Sequence, residues 1–195
     1  MKSLGSPSVL KFPSAIRISL PIYFLLSVGV SLQIGGSNWD IVWHGVGNVE
    51  TFFTPPHLVI YSGVALAAGS VIGGSVQTAI AIRHKKKDAM WHISVPLSFP
   101  FPLKLSAMGC ILQLCAGPFD FWWHYQFGFD GLLSPPHAVL AAGMLMAALG
   151  ALIGINSHYC HPQQKSNNRI YFSFSKLSVI VGYAVFLMVC VGSIF

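Results

Sequence analysis

Five long apolar stretches constrain this chain more than any other feature of its sequence. They run roughly over residues 16–36, 57–82, 103–119, 137–157 and 177–195. A helix needs about 20 apolar residues to cross the hydrocarbon core of a bilayer. None of the stretches alternates apolar and polar residues as the strands of a membrane β-barrel do. We therefore expect an all-α integral membrane protein of a single domain, residues 1–195, with five transmembrane helices.

Charged residues are too few to cover the surface of a water-soluble domain. They make up 8% of the 195 residues, whereas 54% are hydrophobic; a soluble domain carries about 25% charged residues. The lipid bilayer is therefore the expected environment of the chain. The net charge of +6 is explained by membrane topology, and we expect no nucleic-acid partner.

The basic residues predict how the helices are oriented. If the N-terminus is cytoplasmic, all 11 Lys and Arg residues fall on the cytoplasmic side of the five stretches, as the positive-inside rule requires. Four of the 5 acidic residues fall on the opposite side, namely Asp40, Glu50, Asp120 and Asp130. The predicted location is the cytoplasmic membrane, which the chain crosses several times, with the acidic segments near the outer face.

Two segments of the chain repeat one another. Residues 38–57 read NWDIVWHGVGNVETFFTPPH and residues 118–137 read PFDFWWHYQFGFDGLLSPPH; they align without a gap at an offset of 80 residues. The register extends outward, so that residues 31–70 and 111–150 form two repeat units. Each unit is a helix, a loop and a second helix, and both run in the same direction. We expect them to be related by an axis near the membrane normal, with a fifth helix following.

Each repeat unit contains an Asp and a His that are four residues apart. Asp40 precedes His44 in the first unit, and Asp120 precedes His124 in the second. On a helix this spacing places both side chains on one face, one turn apart. We expect each helix to continue beyond its apolar stretch and to carry the pair to the membrane boundary.

A second His in each unit is expected in the first turn of the next helix. The sequences TPPH and SPPH resemble helix starts, because Thr and Ser are favoured N-caps and Pro is favoured just inside a helix. His57 and His137 then lie at the same boundary as the Asp and His of the preceding helix. The chain between the two histidines has only to fold back for the three side chains to meet.

Two imidazoles and one carboxylate form a ligand set that suits Cu, Zn, Fe or Mn. Ionisable groups at membrane depth usually serve a function, and here the same spacing occurs twice. We predict one metal site in each unit, with the ligands Asp40, His44 and His57 in the first and Asp120, His124 and His137 in the second. Glu50 and Asp130 are predicted to orient an imidazole N–H or to supply a fourth ligand. The simpler alternative to a metal site is that the Asp and His of each unit form an ion pair at the membrane interface, next to a well-capped helix.

The two predicted sites differ in their neighbours. Asp120 lies in FDFWWHY among aromatic residues, whereas Asp40 lies in NWDIVWHG beside Asn38. Low polarity excludes water and strengthens electrostatic interactions. We therefore expect the second unit to be the drier and to hold any redox chemistry.

Glycines predict where helices approach one another closely, since small residues let helix backbones come together in a membrane. The glycines expected on such faces are Gly69, Gly73, Gly74, Gly143, Gly150 and Gly154.

The two blocks resemble the C subunit of the copper membrane monooxygenases, which oxidise ammonia or methane. That subunit carries Asp-x3-His, followed by a His that heads the next helix, and a second such set further along. The archaeal ammonia-oxidising form is similarly short and begins the helix of its first set with FTP-x-H. The resemblance covers roughly residues 16–157. In this chain both sets begin with Asp, and both of the later histidines follow Pro-Pro.

The resemblance implies copper at both predicted sites, with zinc or iron as alternatives. It also implies oxidation of a small molecule such as ammonia with oxygen, carried out within a complex with other membrane subunits. In a rival interpretation the chain binds metal but is not catalytic. It would then be a metal-handling, assembly or accessory subunit whose His and Asp residues are structural. The sequence leaves both open.

Overall fold

The computed structural model describes residues 18–47, 51–88, 99–128, 134–160 and 169–192, and these residues form five helices. They are α1 (Leu20–Gly45), α2 (Pro55–Asp88), α3 (Phe101–Phe127), α4 (Pro135–Cys160) and α5 (Arg169–Gly192). The described residues contain no strand. The expected all-helical class is therefore confirmed.

Three of the helices are long and apolar enough to cross a membrane. They are Leu20–Gly45, Pro55–His84 and Pro135–His158, judged by length and composition. Helix α3 has 27 residues but does not reach the same hydropathy, and the described side chains of α5 form an apolar segment over Phe174–Val189. Lys104 lies in the first turn of α3, which is one reason for its lower hydropathy. The structure therefore supports a membrane protein with at least three candidate spans.

Prolines mark the helix starts, as the sequence predicted for α2 and α4. Pro55 begins α2 and Pro135 begins α4, where the missing N–H of proline leaves no hydrogen bond unmade. The backbone carbonyl of Thr54 accepts a hydrogen bond from the N–H of Leu58 at 3.0 Å, and Ser134 does the same for Ala138 at 3.1 Å. Both hydroxyl residues therefore occupy the N-cap position.

Pro118 lies inside α3 instead of ending it. The apolar stretch ends near this residue in the sequence, but the helix continues to Phe127. Helix α1 likewise continues beyond its apolar stretch to Gly45. These extensions carry the Asp-x3-His pairs as helical residues, as expected from their spacing.

Glycine pairs bring the helices of each hairpin into backbone contact. A Cβ atom on Gly63 would lie 2.5 Å from the carbonyl oxygen of Gly29, and one on Gly143 would lie 2.8 Å from that of Gly109. These pairs occupy equivalent positions in the two units. Of the glycines expected at close contacts, Gly74, Gly143, Gly150 and Gly154 have close neighbours, whereas a Cβ on Gly69 or Gly73 would meet nothing within 4 Å.

The two hairpins pack side by side. Helix α1 contacts α2 and α4, helix α3 contacts α4 and α2, and α5 packs against α4 and α1. One apolar cluster joins Leu20, Tyr23 and Leu26 of α1 to residues of the other hairpin that include Leu103 and Ile155. A second joins α1 to α4 and α5 through Val30, Met144, Ala147, Ala148, Val185 and Val189. This packing holds the ends of α1 and α3 at the same end of the bundle.

Two buried glutamines lie at equivalent positions of α1 and α3. Gln33 and Gln113 are fully buried, and their amide nitrogen and oxygen atoms have no hydrogen-bond partner among the described residues. Each side chain passes over a glycine of the partner helix, Gly63 or Gly143. Since seven residues are about two helical turns, the amides lie two turns from Asp40 and Asp120.

Candidate metal centre

The first candidate centre is formed by the end of α1 and the start of α2. Asp40 and His44 lie one turn apart on α1, and His57 lies in the first turn of α2. Nε2 of His44 is 3.4 Å from Oδ2 of Asp40, and Nε2 of His57 is 3.4 Å from its Oδ1. The carboxylate therefore lies between the two imidazoles, with one oxygen facing each.

The second candidate centre has the same construction on α3 and α4. Nε2 of His124 and Nε2 of His137 each lie 3.3 Å from the same carboxylate oxygen, Oδ1 of Asp120. The ring centroids of the two histidines are 5.9 Å apart. In contrast to the first centre, one carboxylate oxygen serves both imidazoles.

In both centres the ligand atoms of the three side chains lie within 4.8 Å of one another. Each triad is assembled within its own repeat unit, because each draws its residues from one hairpin. We call these groups the first triad (Asp40, His44, His57) and the second triad (Asp120, His124, His137). The structure therefore brings together all six residues that the sequence analysis chose as ligands.

Backbone carbonyls fix the orientation of two imidazole rings. Nδ1 of His57 lies 3.1 Å from the carbonyl oxygen of Thr51, and Nδ1 of His124 lies 3.1 Å from that of Gly128. A carbonyl oxygen only accepts hydrogen bonds, so Nδ1 carries the proton in both rings. In the neutral imidazole, Nε2 then presents its lone pair to the carboxylate, as metal-binding histidines do.

The N-cap of α4 provides the corresponding contact for His137. The hydroxyl oxygen of Ser134 lies 2.9 Å from Nδ1 of His137. A hydroxyl group can accept or donate, so this contact is compatible with a proton on either ring nitrogen. Ser134 therefore combines a backbone role at the start of α4 with a side-chain role at the second triad.

A buried oxygen of each carboxylate has no imidazole nitrogen at ordinary hydrogen-bond length. Oδ1 of Asp40 and Oδ1 of Asp120 meet no hydrogen bond of regular geometry among the described residues, and the nearest imidazole nitrogens lie 3.3–3.4 Å away. Ordinary N–H···O hydrogen bonds are about 2.7–3.2 Å long. A buried charged oxygen in this position needs a compensating cation, which is either a protonated imidazole or a metal ion.

The distances also fit a shared metal ion. Nitrogen and oxygen ligands lie about 2.0–2.1 Å from zinc, and tetrahedral geometry then places two ligand atoms about 3.3–3.4 Å apart. In the second triad both Nε2 atoms lie 3.3 Å from the same oxygen, Oδ1 of Asp120, as one tetrahedral ion requires. In the first triad each Nε2 lies 3.4 Å from a different oxygen of Asp40, so a shared ion there requires the carboxylate to turn or to bind through both oxygens. Three protein ligands leave a fourth position for water or substrate, as in catalytic zinc sites. The residues present therefore fit a divalent metal, and the geometry does not select copper over zinc or iron.

Solvent reaches the second triad more than the first. The side chains of Asp40 and His57 are 17% and 15% exposed, and those of Asp120 and His137 are 30% and 34% exposed. The expectation that the second site is the drier is therefore wrong for Asp120 and His137, whereas His124 is about as exposed as His44, at 17% and 19%. Phe121 and Trp122, next to Asp120 in sequence, are themselves exposed, because consecutive residues of a helix point in different directions.

Two residues that contact the histidines, Thr51 and Gly128, were not predicted from the sequence. Thr51 and Gly128 contribute carbonyl groups, which any residue carries, so side-chain identity gives no signal for them. Gly128 has a positive φ of 74°, and glycine after the last helical residue is a common C-cap. The predicted supporting residues Glu50 and Asp130 lie outside the described residues, so their role remains a prediction.

The fold and the two triads define a helical protein with two candidate metal centres at one end of paired helical hairpins. Comparison with known proteins adds no family, since no protein-family model, curated protein or solved structure matches the chain. The resemblance to the C subunit of copper membrane monooxygenases therefore rests on the motif residues alone.

Proposed function

We propose that this chain is an integral membrane protein that binds two transition-metal ions, one in each triad. The observation that carries the proposal is the geometry of the carboxylates. In each triad an aspartate carboxylate lies between two imidazoles, with a buried oxygen 3.3–3.4 Å from the Nε2 atom of one histidine in the first triad and of both histidines in the second. The formation of the same arrangement twice argues against an accidental contact.

Copper is the metal we propose, on the basis of the resemblance to copper monooxygenases. The ligand set of two imidazoles and a carboxylate accepts copper, and also zinc or iron. In each triad the aspartate would supply one negatively charged oxygen ligand. The histidine on the same helix and the histidine on the next helix would each supply one nitrogen ligand. Bound copper would supply redox chemistry with oxygen.

We propose five membrane spans, with the N-terminus in the cytoplasm and the triads near the outer face. The three candidate spans support membrane insertion, and the positions of the basic residues support the orientation. Exposed aromatic side chains, including Trp39 and Trp122, lie near the triads. Trp residues are enriched at membrane–water interfaces, which supports a position of both triads at the boundary.

As the activity we propose oxidation of a small molecule such as ammonia or a hydrocarbon, within a complex that contains other membrane subunits. The second candidate is a non-catalytic metal-handling, assembly or accessory subunit. It is favoured by one observation, the identical ligand types of the two triads, because a catalytic centre and a structural centre usually differ in their ligands.

Metal analysis of native membranes separates these candidates. The affinity-tagged chain is purified from its own membranes, its metals are quantified, and oxidation of ammonia and methane by the membranes is measured with wild type, Asp40→Asn and Asp120→Asn. Copper in the chain and a reduced oxidation rate in either variant would support the monooxygenase proposal. Copper with an unchanged rate in both variants would support the non-catalytic candidate. A chain without any transition metal would contradict both.

A further inference from the structure

An aromatic stack covers one side of the first triad. The ring of Tyr61, one turn after His57 on α2, lies 5.9 Å from the imidazole ring of His57 at an interplanar angle of 34°. The ring of Phe52 lies 5.1 Å from that of Tyr61 at 33°. The three rings therefore follow one another in the order His57, Tyr61, Phe52, and Phe52 at the end of the series is exposed.

The repeat unit of the second triad has no tyrosine at the equivalent position. With the offset of 80 residues, the counterpart of Tyr61 is Ala141, which is half-buried on α4. The counterpart of Phe52 is Leu132, which lies outside the described residues. An alanine side chain cannot reach over the imidazole of the preceding turn as a tyrosine ring does.

The difference in exposure between the triads is largest at the later histidine and is also present at the aspartate, which is 17% exposed in the first triad and 30% in the second. His44 and His124, which precede the loop in each unit, are almost equally exposed at 19% and 17%. His57 and His137, one turn from Tyr61 and Ala141, differ by a factor of about two, with 15% and 34% exposed. The change from Tyr to Ala lies next to the histidine at which the second triad is more exposed.

Tyr61 belongs to the first unit, on the helix that contacts α3 of the second unit.

We propose that Tyr61 closes the first triad to external ligands, and that a small anion coordinates metal only at the second triad, beside Ala141. The inference rests on the proposed metal binding and adds to it a functional difference between two centres with the same ligands. The ring of Tyr61 excludes a fourth ligand from the first metal by occupying the space through which the ligand would approach. The small side chain of Ala141 leaves that space available at the second metal.

Azide binding to the copper(II)-loaded protein tests the proposal. Azide is a small anion, and its charge-transfer absorption on copper(II) reports how many coppers it binds. Wild type should bind two coppers and one azide per chain. Tyr61→Ala should bind two coppers and two azides. Tyr61→Phe, the matched control that keeps the ring, should bind one azide like wild type.

The reverse substitution and two ligand variants complete the test. Ala141→Tyr should retain two coppers and bind no azide. The azide of wild type should persist when His44 and His57 are replaced by Ala and should be lost when His124 and His137 are replaced. Two azides in wild type, or one azide in Tyr61→Ala, would overturn the inference. Tyr61→Ala is decisive by itself, because truncation introduces no steric clash. A wild-type chain that binds no copper would instead contradict the proposed metal binding.

Discussion

His57 and Asp40 belong to different helices, yet Nε2 of one lies 3.4 Å from Oδ1 of the other. On the opposite edge of the imidazole, Nδ1 donates a hydrogen bond to the backbone carbonyl of Thr51. A ring with its Nδ1 proton committed to a carbonyl presents the Nε2 lone pair to the carboxylate. The relationship therefore calls for a cation between the two side chains, either a proton on Nε2 or a metal ion.

Each triad should lose its metal independently of the other. Replacing His44 and His57 with Ala removes two of the three ligands of the first triad and leaves the second hairpin unchanged. We expect the metal content to fall from two ions to one per chain. Replacing His124 and His137 should have the same effect on the second triad. If either double variant lost both ions, the two centres would be interdependent, contrary to their assembly within separate hairpins.

Because the backbones of α1 and α2 are in contact at Gly63, the addition of one methyl group there should destabilise the fold. In Gly63→Ala the new Cβ would lie 2.5 Å from the carbonyl oxygen of Gly29 and 2.9 Å from the backbone nitrogen of Gln33. Overpacking of this kind lowers the free energy of unfolding by about 1–3 kcal/mol. Denaturant unfolding in detergent micelles measures the change.

The matched control is Gly69→Ala on the same helix, where a Cβ would meet nothing within 4 Å. Its higher helix propensity should leave stability unchanged or raise it by up to about 1 kcal/mol. Equal losses in the two variants would show that α1 and α2 do not approach one another at Gly63.

The buried amide of Gln113 should cost the protein stability. Its amide atoms have no hydrogen-bond partner among the described residues, and an unpaired buried amide is unfavourable by about 1–3 kcal/mol in proteins. Gln113→Leu should therefore raise the free energy of unfolding, and Gln33→Leu should do the same. Both are measured by denaturant unfolding.

Gln77→Leu serves as the contrasting variant. Oε1 of Gln77 accepts a hydrogen bond from the backbone N–H of Ser19 at 2.8 Å, so its loss should lower stability by about 1 kcal/mol. A loss of stability in Gln113→Leu comparable to that in Gln77→Leu would indicate that the amide of Gln113 has a partner that stabilises the fold.

Membrane topology is tested by cysteine labelling in a variant without the native cysteines. Single cysteines introduced between residues 45 and 53 should react with an impermeant reagent added outside intact cells. Those introduced between residues 83 and 92 should react only after the membrane is opened, because four basic residues of that segment (Arg83, Lys85, Lys86, Lys87) favour the cytoplasm. Reaction of both segments from the same side would refute the orientation.

Sequence periodicity and spacing predicted the helices and the composition of the triads. The Pro-Pro pairs predicted the starts of α2 and α4 because proline favours the first helical turn, and the interval from Asp40 to His44 predicted a shared helix face. The end of α3 was less predictable. Pro118 coincides with the end of the apolar stretch, but the helix continues through it, since hydrophobicity reports lipid contact and not the extent of backbone hydrogen bonding.

Solvent access to the triads could not be inferred from neighbours in sequence. The aromatic residues beside Asp120 suggested a dry environment, yet Phe121 and Trp122 are themselves exposed. The residue that packs on a ligand, Tyr61, lies four residues after His57 on the same helix. This spacing is visible in the sequence and places the two rings on one helix face, whereas the residues next to Asp120 in sequence lie on other faces of α3.

The most direct test of the proposed metal binding is the metal content of the purified chain and of a variant without the four histidines. The wild-type chain, purified without added chelator and analysed by mass spectrometry of the elements, should contain two transition-metal ions per chain. The variant with His44, His57, His124 and His137 all replaced by Ala should contain none, while circular dichroism shows its helices to be intact. A helical quadruple variant that retains the metal content of wild type would contradict the account.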